Sequence, residues 1–130
     1  MSSWPRVAVV GGSLGGLTAA LVLRDLGCGV DVFERSTAEL ESRGAGIVVL
    51  DETVRYFRER TDLRLDRLTT ATGFLRYLDR DGGVAYEEPR CYRYSAWHTI
   101  YRALLGCLGR RRYHLGREVA GFVRGFLAAS

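Results

Sequence analysis

The residues with the clearest chemical meaning in this sequence are a run of glycines near the N-terminus. The run Gly11-Gly12-Ser13-Leu14-Gly15-Gly16 follows the apolar stretch Arg6–Val10. In a dinucleotide-binding turn the first glycine makes the turn, the second lets the backbone approach a diphosphate, and the third lets helix and strand pack closely. Gly11 and Gly16 occupy the first and third positions, and Ser13 stands at the second. The hydroxyl of Ser13 can donate to a phosphate, and free N–H groups and the dipole at a helix start favour the same anion.

An acid follows the glycine run at a meaningful distance. Glu34 stands 23 positions after Gly11, near the spacing of about 20 at which an acid binds the ribose hydroxyls of an adenosine. A carboxylate at this place repels a 2′-phosphate, which argues against NADP in this site, although the neighbouring Arg35 keeps that question open. The alternative is that the glycines only permit helix–strand packing and that Glu34 is a solvated strand end.

These residues need a strand–helix–strand segment to position them. The β-branched run Arg6–Val10 predicts a buried strand, residues 17–26 predict a helix, and residues 30–34 predict a second strand. Gly27 and Gly29 are expected to supply the left-handed end of the helix. Short connections of this kind give a right-handed crossover between parallel strands. The predicted fold class is therefore α/β, with a Rossmann-like βαβ dinucleotide-binding segment.

The middle of the chain predicts an antiparallel insertion. An Asp-Gly turn between two apolar stretches favours a β-hairpin, and Ser95 is expected to cap a helix that ends at Gly109. The predicted elements are a strand at 47–50, a helix that Asp51 caps and that reaches about Thr61, hairpin strands at 73–78 and 84–87, the helix after Ser95, and short strands at 113–115 and 118–123.

Composition predicts one folded domain over residues 1–130 and argues against several functional classes. The chain is 47% hydrophobic and 26% charged, as expected of a globular protein rather than a disordered one. Its aliphatic runs are too short to cross a bilayer, and its N-terminus lacks a secretion signal, so a cytoplasmic location without membrane contact is expected. The basic residues are scattered, which argues against a nucleic-acid partner. The three cysteines form no C-x-x-C pair, so no metal site is predicted.

Other side chains that could do chemistry have simpler structural explanations. His98 and His114 have no nucleophile or carboxylate at a suggestive spacing, and the acids around the predicted hairpin are expected to be turn and edge charges. An aromatic set could line a pocket for an aromatic substrate, but cross-strand packing accounts for it more simply. This set comprises Tyr77, Tyr86, Tyr92, Tyr94 and Trp97.

Three segments together resemble a known family. The stretches 7–20, 32–35 and 43–47 are similar to the N-terminal FAD-binding part of the aromatic-ring flavoprotein monooxygenases, and most similar to the 2,6-dihydroxypyridine 3-monooxygenase branch. The likeness fades after Phe122, and residues 123–130 match nothing recognisable. Family members are longer and carry downstream Asp-Gly and Gly-Asp motifs, so the chain is interpreted as a truncated FAD-binding part that is not catalytic alone.

The resemblance implies FAD as the cofactor, NAD(P)H as the electron donor, and hydroxylation of an aromatic or N-heteroaromatic ring. Trp97 stands where many relatives have an arginine that contacts the flavin. Two alternatives stay open: a nicotinamide-dinucleotide-binding module of another oxidoreductase, and an inert remnant or interaction domain. By matching position, the cofactor-binding residues are Gly11, Ser13, Leu14 and Gly16 at the diphosphate, Glu34 and Arg35 at the adenosine, and Ala45, Gly46 and Ile47 near the ribityl chain and isoalloxazine.

Overall fold

The computed structural model describes residues 4–40 and 44–124. The chain divides into two compact units: the first comprises residues 1–40 and 104–130, and the second comprises residues 41–103. None of the helices in the described ranges is long and apolar enough to cross a membrane. In chain order the elements are β1 (Arg6–Val10), α1 (Leu14–Asp25), β2 (Gly29–Phe33), β3 (Gly46–Val49), α2 (Asp51–Arg60), α3 (Leu65–Leu68), β4 (Thr70–Leu78), β5 (Val84–Ala96), α4 (Trp97–Leu108), a 3₁₀ turn (Arg110–Arg112) and β6 (Tyr113–His114).

The first unit contains a parallel three-stranded sheet in the order β1-β2-β6. Val9 of β1 pairs with Val32 of β2, and Val32 pairs with Tyr113 of β6. Helix α1 joins the two parallel strands β1 and β2 and buries Leu17 and Leu21. The predicted α/β class with a Rossmann-like strand–helix–strand segment is confirmed. The prediction that Arg6–Val10 is a buried strand is wrong, because the residues of β1 alternate between exposed and half-buried and Val10 is 64% exposed.

Several boundaries in the first unit differ from the sequence-based prediction. Helix α1 begins at Leu14, three residues early, because Ser13 takes the extended N-cap conformation (φ −79°, ψ −172°). Gly27 has the predicted positive φ of 97°. Gly29 is not a helix stop, since it is the first residue of β2 and pairs with β1. Glu34 lies just after β2 rather than within it.

The second unit contains an antiparallel sheet in the order β3-β5-β4. The predicted hairpin is present as β4 and β5, with Tyr77 opposite Tyr86. Strand β5 is longer than expected, because it continues to Ala96 and also pairs with β3. Helix α2 buries Val54 and Phe57.

Two predicted helix caps and one predicted strand are wrong. Asp51 is the first residue of α2. The N-cap of this helix is Leu50, which makes no side-chain capping hydrogen bond. Ser95 lies in β5, where its hydroxyl donates to the Leu68 carbonyl oxygen at 2.6 Å, so it does not cap α4. Residues 118–123 form no strand: the whole stretch from 117 to 124 is exposed and has no regular secondary structure. Most of the predicted tail, residues 125–130, lies outside the described residues, as does Arg43.

Candidate dinucleotide-binding site

The turn between β1 and α1 requires glycine at both of its ends. Gly11 has a φ of 97°, which side-chain-bearing residues rarely adopt, and its N–H donates to the Phe33 carbonyl oxygen at 2.9 Å. A Cβ added at Gly16 would collide with the carbonyl oxygen of Gly11. These are the geometric roles that the motif assigns to its first and third glycines. They bring the start of α1 directly against the end of β1.

The two peptide groups that flank Gly12 are each held by a buried hydrogen bond, a feature that the motif spacing does not predict. The Gly12 N–H donates to Oε2 of Glu34 at 2.8 Å, and this contact is buried. The Gly12 carbonyl oxygen accepts a buried hydrogen bond of 2.8 Å from the hydroxyl of Tyr113. A Cβ at position 12 would run into the Tyr113 ring. The sequence offers one signal for this close packing against Tyr113: residue 12 is a glycine, although the motif accepts any residue at that position.

Ser13 and Leu14 place hydrogen-bond donors at the exposed start of α1. The Ser13 side chain makes no capping bond and is exposed, while its carbonyl oxygen accepts from the Leu17 N–H at 2.9 Å. The first N–H groups of an α-helix have no intrahelical acceptor. Together with the helix dipole, they and the Ser13 hydroxyl form a surface that favours a phosphate.

Glu34 is a buried carboxylate that the chain keeps ionised. It is only 7% exposed, and its two oxygens accept from the N–H groups of Gly12 (2.8 Å) and Ser36 (2.9 Å). Burial by itself raises the pKa of Glu34, but these amide donors and the nearby Arg35 hold it below its ordinary value. An ionised carboxylate has about four acceptor positions, so this group can also accept from a ribose hydroxyl. Arg35 itself is exposed.

The second predicted cofactor segment belongs to the second unit. Gly44 has a φ of 91°, and a Cβ there would meet Trp97. The Ala45 carbonyl oxygen accepts from the Trp97 N–H at 3.1 Å. Gly46 and Ile47 then begin β3, opposite the end of β5. The segment therefore has a fixed backbone path around Trp97, and the roles of Ala45, Gly46 and Ile47 toward a flavin stay predictions.

The remaining candidates have structural contacts. His114 stacks on Phe33 with ring centroids 5.1 Å apart, and its Nε2 lies 2.9 Å from Oδ1 of Asp31. The hydrogen bond from His114, together with Arg112, holds the pKa of Asp31 below its ordinary value. Tyr77 packs on Tyr86 across the hairpin at 5.8 Å. In the described part of the chain no three His, Cys, Asp or Glu residues group in a way that could hold a metal ion.

Comparisons with known proteins agree with the geometry of the first unit. A family described as pyridine nucleotide-disulphide oxidoreductase matches residues 6–60. The 2,6-dihydroxypyridine 3-monooxygenase of Paenarthrobacter nicotinovorans is 41% identical over 117 residues, which cover 89% of this chain and 29% of that enzyme. The chain is similar to part of a flavoprotein monooxygenase. The resemblance found from the motifs is therefore confirmed.

Solved structures extend the same likeness to the fold. The 2,6-dihydroxypyridine-3-hydroxylase from Arthrobacter nicotinovorans matches with a TM-score of 0.85 and 38% identity, covering 95% of this chain and 31% of that chain. HpxO of Klebsiella pneumoniae, solved with FAD and uric acid, matches with a TM-score of 0.68 and 21% identity, covering 87% of this chain and 31% of that chain. The second likeness shows the fold alone. The chain spans less than a third of the length of each of these proteins.

Proposed function

We propose that this chain binds FAD and that the first unit holds the ADP half of the cofactor. The observation that carries the proposal is the buried, ionised Glu34 whose carboxylate accepts from Gly12 inside the glycine turn. This contact supports the proposal, because it holds Glu34, the acid proposed to bind the ribose, against the turn proposed to bind the diphosphate. The similarity to the 2,6-dihydroxypyridine 3-monooxygenase supports the choice of FAD.

The residues of the first unit fit the cofactor. The Ser13 hydroxyl and the N–H groups at the start of α1 would bind the diphosphate, since the Ser13 side chain makes no capping bond and these N–H groups have no intrahelical acceptor. Glu34 would accept from the adenosine ribose, and the exposed Arg35 would lie on the adenosine side. Ala45, Gly46 and Ile47 are assigned to the ribityl and flavin end by resemblance.

When bound, FAD would supply redox chemistry that side chains lack, namely hydride acceptance from NAD(P)H and the use of oxygen in ring hydroxylation. The residues described above would bind the cofactor and orient it. We propose an aromatic or N-heteroaromatic ring as the substrate class, since the similar enzyme is named for a dihydroxypyridine. Because the chain spans 29% of that enzyme, catalysis requires more than these residues supply.

A second candidate function is binding of a nicotinamide dinucleotide by the same turn. The match of residues 6–60 to the pyridine nucleotide-disulphide oxidoreductase family favours it. Both dinucleotides share the ADP half that the turn would hold. Glu34 would then select NADH over NADPH, because a carboxylate repels a 2′-phosphate.

Calorimetric titration of the folded chain with FAD, FMN and NADH separates these candidates. We expect FAD to bind and FMN, which lacks the ADP half, to bind much more weakly. Heat from NADH alone would favour the second candidate, and heat from none of the three would refute both. A single domain over 1–130, a cytoplasmic location and the lack of nucleic-acid or membrane partners stay predictions.

A further inference from the structure

We infer that Tyr113 is a positioning residue that sets the orientation of the diphosphate-binding amide at Ser13. This inference rests on the proposed binding of a dinucleotide. Tyr113 lies in β6, 101 residues from Gly12 in the sequence, and it reaches the turn through a buried hydrogen bond of 2.8 Å from its hydroxyl to the Gly12 carbonyl oxygen. Only 6% of Tyr113 is exposed.

Because a peptide group is planar, a hydrogen bond to its carbonyl oxygen also fixes the direction of its N–H. The described residues contain no cis peptide bond, and in a trans peptide the C=O and the N–H point in opposite directions. The Gly12 carbonyl and the Ser13 N–H belong to one peptide group. Because the carbonyl is directed at buried Tyr113, the Ser13 N–H is directed away from Tyr113, and Ser13 itself is exposed.

The preceding peptide group is held in the same manner. Its N–H, on Gly12, is directed at Glu34, so its carbonyl, on Gly11, points the opposite way. That carbonyl occupies the space that Gly16 leaves open by lacking a Cβ. Glu34 and Tyr113 thus fix two successive peptide planes, and the turn presents its outward amide without needing a ligand to arrange it.

The Tyr113 ring also leaves no room for a side chain at position 12. A Cβ at position 12 would overlap the ring, so glycine and tyrosine at these two positions fit each other. The hydroxyl alone, however, supplies the bond that orients the peptide group. Removing it while keeping the ring therefore separates the positioning role from packing.

The Tyr113→Phe variant tests the inference, with Tyr77→Phe as the matched control on the exposed hairpin. A net intramolecular hydrogen bond contributes about 0.5–1.5 kcal/mol, which corresponds to roughly two- to twelvefold in affinity. We expect Tyr113→Phe to bind FAD weaker by about that factor and Tyr77→Phe to bind it like the parent. The ³¹P resonances of bound FAD should shift only in Tyr113→Phe, a signature that a general loss of stability does not produce.

A measurement without ligand keeps the inference separate from the proposed function. In ¹⁵N-labelled, ligand-free protein, the Ser13 amide resonance should move or broaden in Tyr113→Phe and stay unchanged in Tyr77→Phe. An unchanged Ser13 amide in Tyr113→Phe would overturn the inference, whether or not FAD binds. A parent protein that binds no FAD, but whose Ser13 amide responds to Tyr113→Phe, would overturn the proposed function and leave the orienting role of Tyr113 supported.

Discussion

Gly15 and Gly16 are neighbours with the same lack of a side chain, yet the structure gives them different roles. A Cβ at Gly16 would overlap the Gly11 carbonyl oxygen, whereas a Cβ at Gly15 would meet nothing within 4 Å. Both residues lie in the first turn of α1. Only one of them is therefore required by the turn.

This difference predicts opposite effects of the same substitution. Gly16→Ala should lower the free energy of unfolding by about 2 kcal/mol or more, because overpacking usually costs about 1–3 kcal/mol. Gly15→Ala should leave it unchanged or raise it by up to about 1 kcal/mol, since alanine favours the helix. Urea unfolding of the ligand-free chain measures both. Equal destabilisation by the two variants would contradict the assigned geometry.

Glu34 and Ser13 also differ in what their removal should do. Glu34→Ala removes charge-assisted bonds to the ribose and the support of Gly12, and bonds to charged groups contribute about 1.5–3 kcal/mol. FAD affinity should fall by roughly ten- to hundredfold. Ser13→Gly restores the commoner residue of the motif and should change affinity little. Fluorescence titration measures the affinities, thermal unfolding checks that each variant is folded, and equal affinities for both variants and the parent would refute the placement of the adenosine.

Motif spacing predicted the turn geometry of Gly11 and Gly16 and pointed to Glu34, because these positions follow from short-range chain geometry. It could not predict the contact between Tyr113 and Gly12. The partner of Tyr113 lies 101 residues away in the sequence, and the contact depends on β6 pairing with β2. No local pattern encodes that pairing.

At the scale of elements, strands and helices with a clear hydrophobic pattern were predicted well, and their ends were not. The positions of β1, α1 and β2 followed from the sequence pattern, but the predicted burial of β1 did not, since none of its residues is buried. The predicted cap at Ser95 failed because a tertiary contact prevailed, since its hydroxyl bonds to the Leu68 carbonyl oxygen inside the second unit. The predicted cap at Asp51 failed because α2 begins one residue earlier than expected, at Asp51 itself. The expected strand at 118–123 has no partner strand among the described residues, and a strand without pairing does not form.

Strand β6 is attached to β2 by only two residue pairs, so the contact between Asp31 and His114 should contribute to its docking. The pKa of Asp31 is lowered in the folded state, first by the hydrogen bond from His114. A carboxyl group whose pKa is lower in the folded than in the unfolded state stabilises the fold at every pH above its unfolded-state pKa. This contribution is lost as the pH falls through the folded-state pKa.

The parent should therefore lose stability on acidification more steeply than Asp31→Asn. Chemical unfolding at several pH values between neutral and strongly acidic measures the difference. Glu59→Gln, which alters an exposed ion pair within α2, serves as the control and should follow the parent. If Asp31→Asn has the same pH dependence as the parent, the pair does not stabilise the docking of β6.

At the scale of the whole molecule, the chain spans 29% of the 2,6-dihydroxypyridine 3-monooxygenase to which it is similar. In the proposed function the first unit binds the ADP half, whereas ring hydroxylation needs a site that shields the flavin and holds a substrate. We expect the purified chain with FAD, NADH and 2,6-dihydroxypyridine to show no substrate-dependent NADH oxidation. Turnover under these conditions would show that these 130 residues suffice for catalysis.

In the proposed function, the turn from Gly11 to Gly16 and the acid Glu34 hold the ADP half of a dinucleotide. Titrating ¹⁵N-labelled protein with ADP, and following each backbone amide, tests it most directly. We predict that the largest shifts occur at residues 13–16 and 34–36, with saturation at one ADP per chain. Shifts confined to other residues, or no shifts in well-folded protein, would contradict the claim.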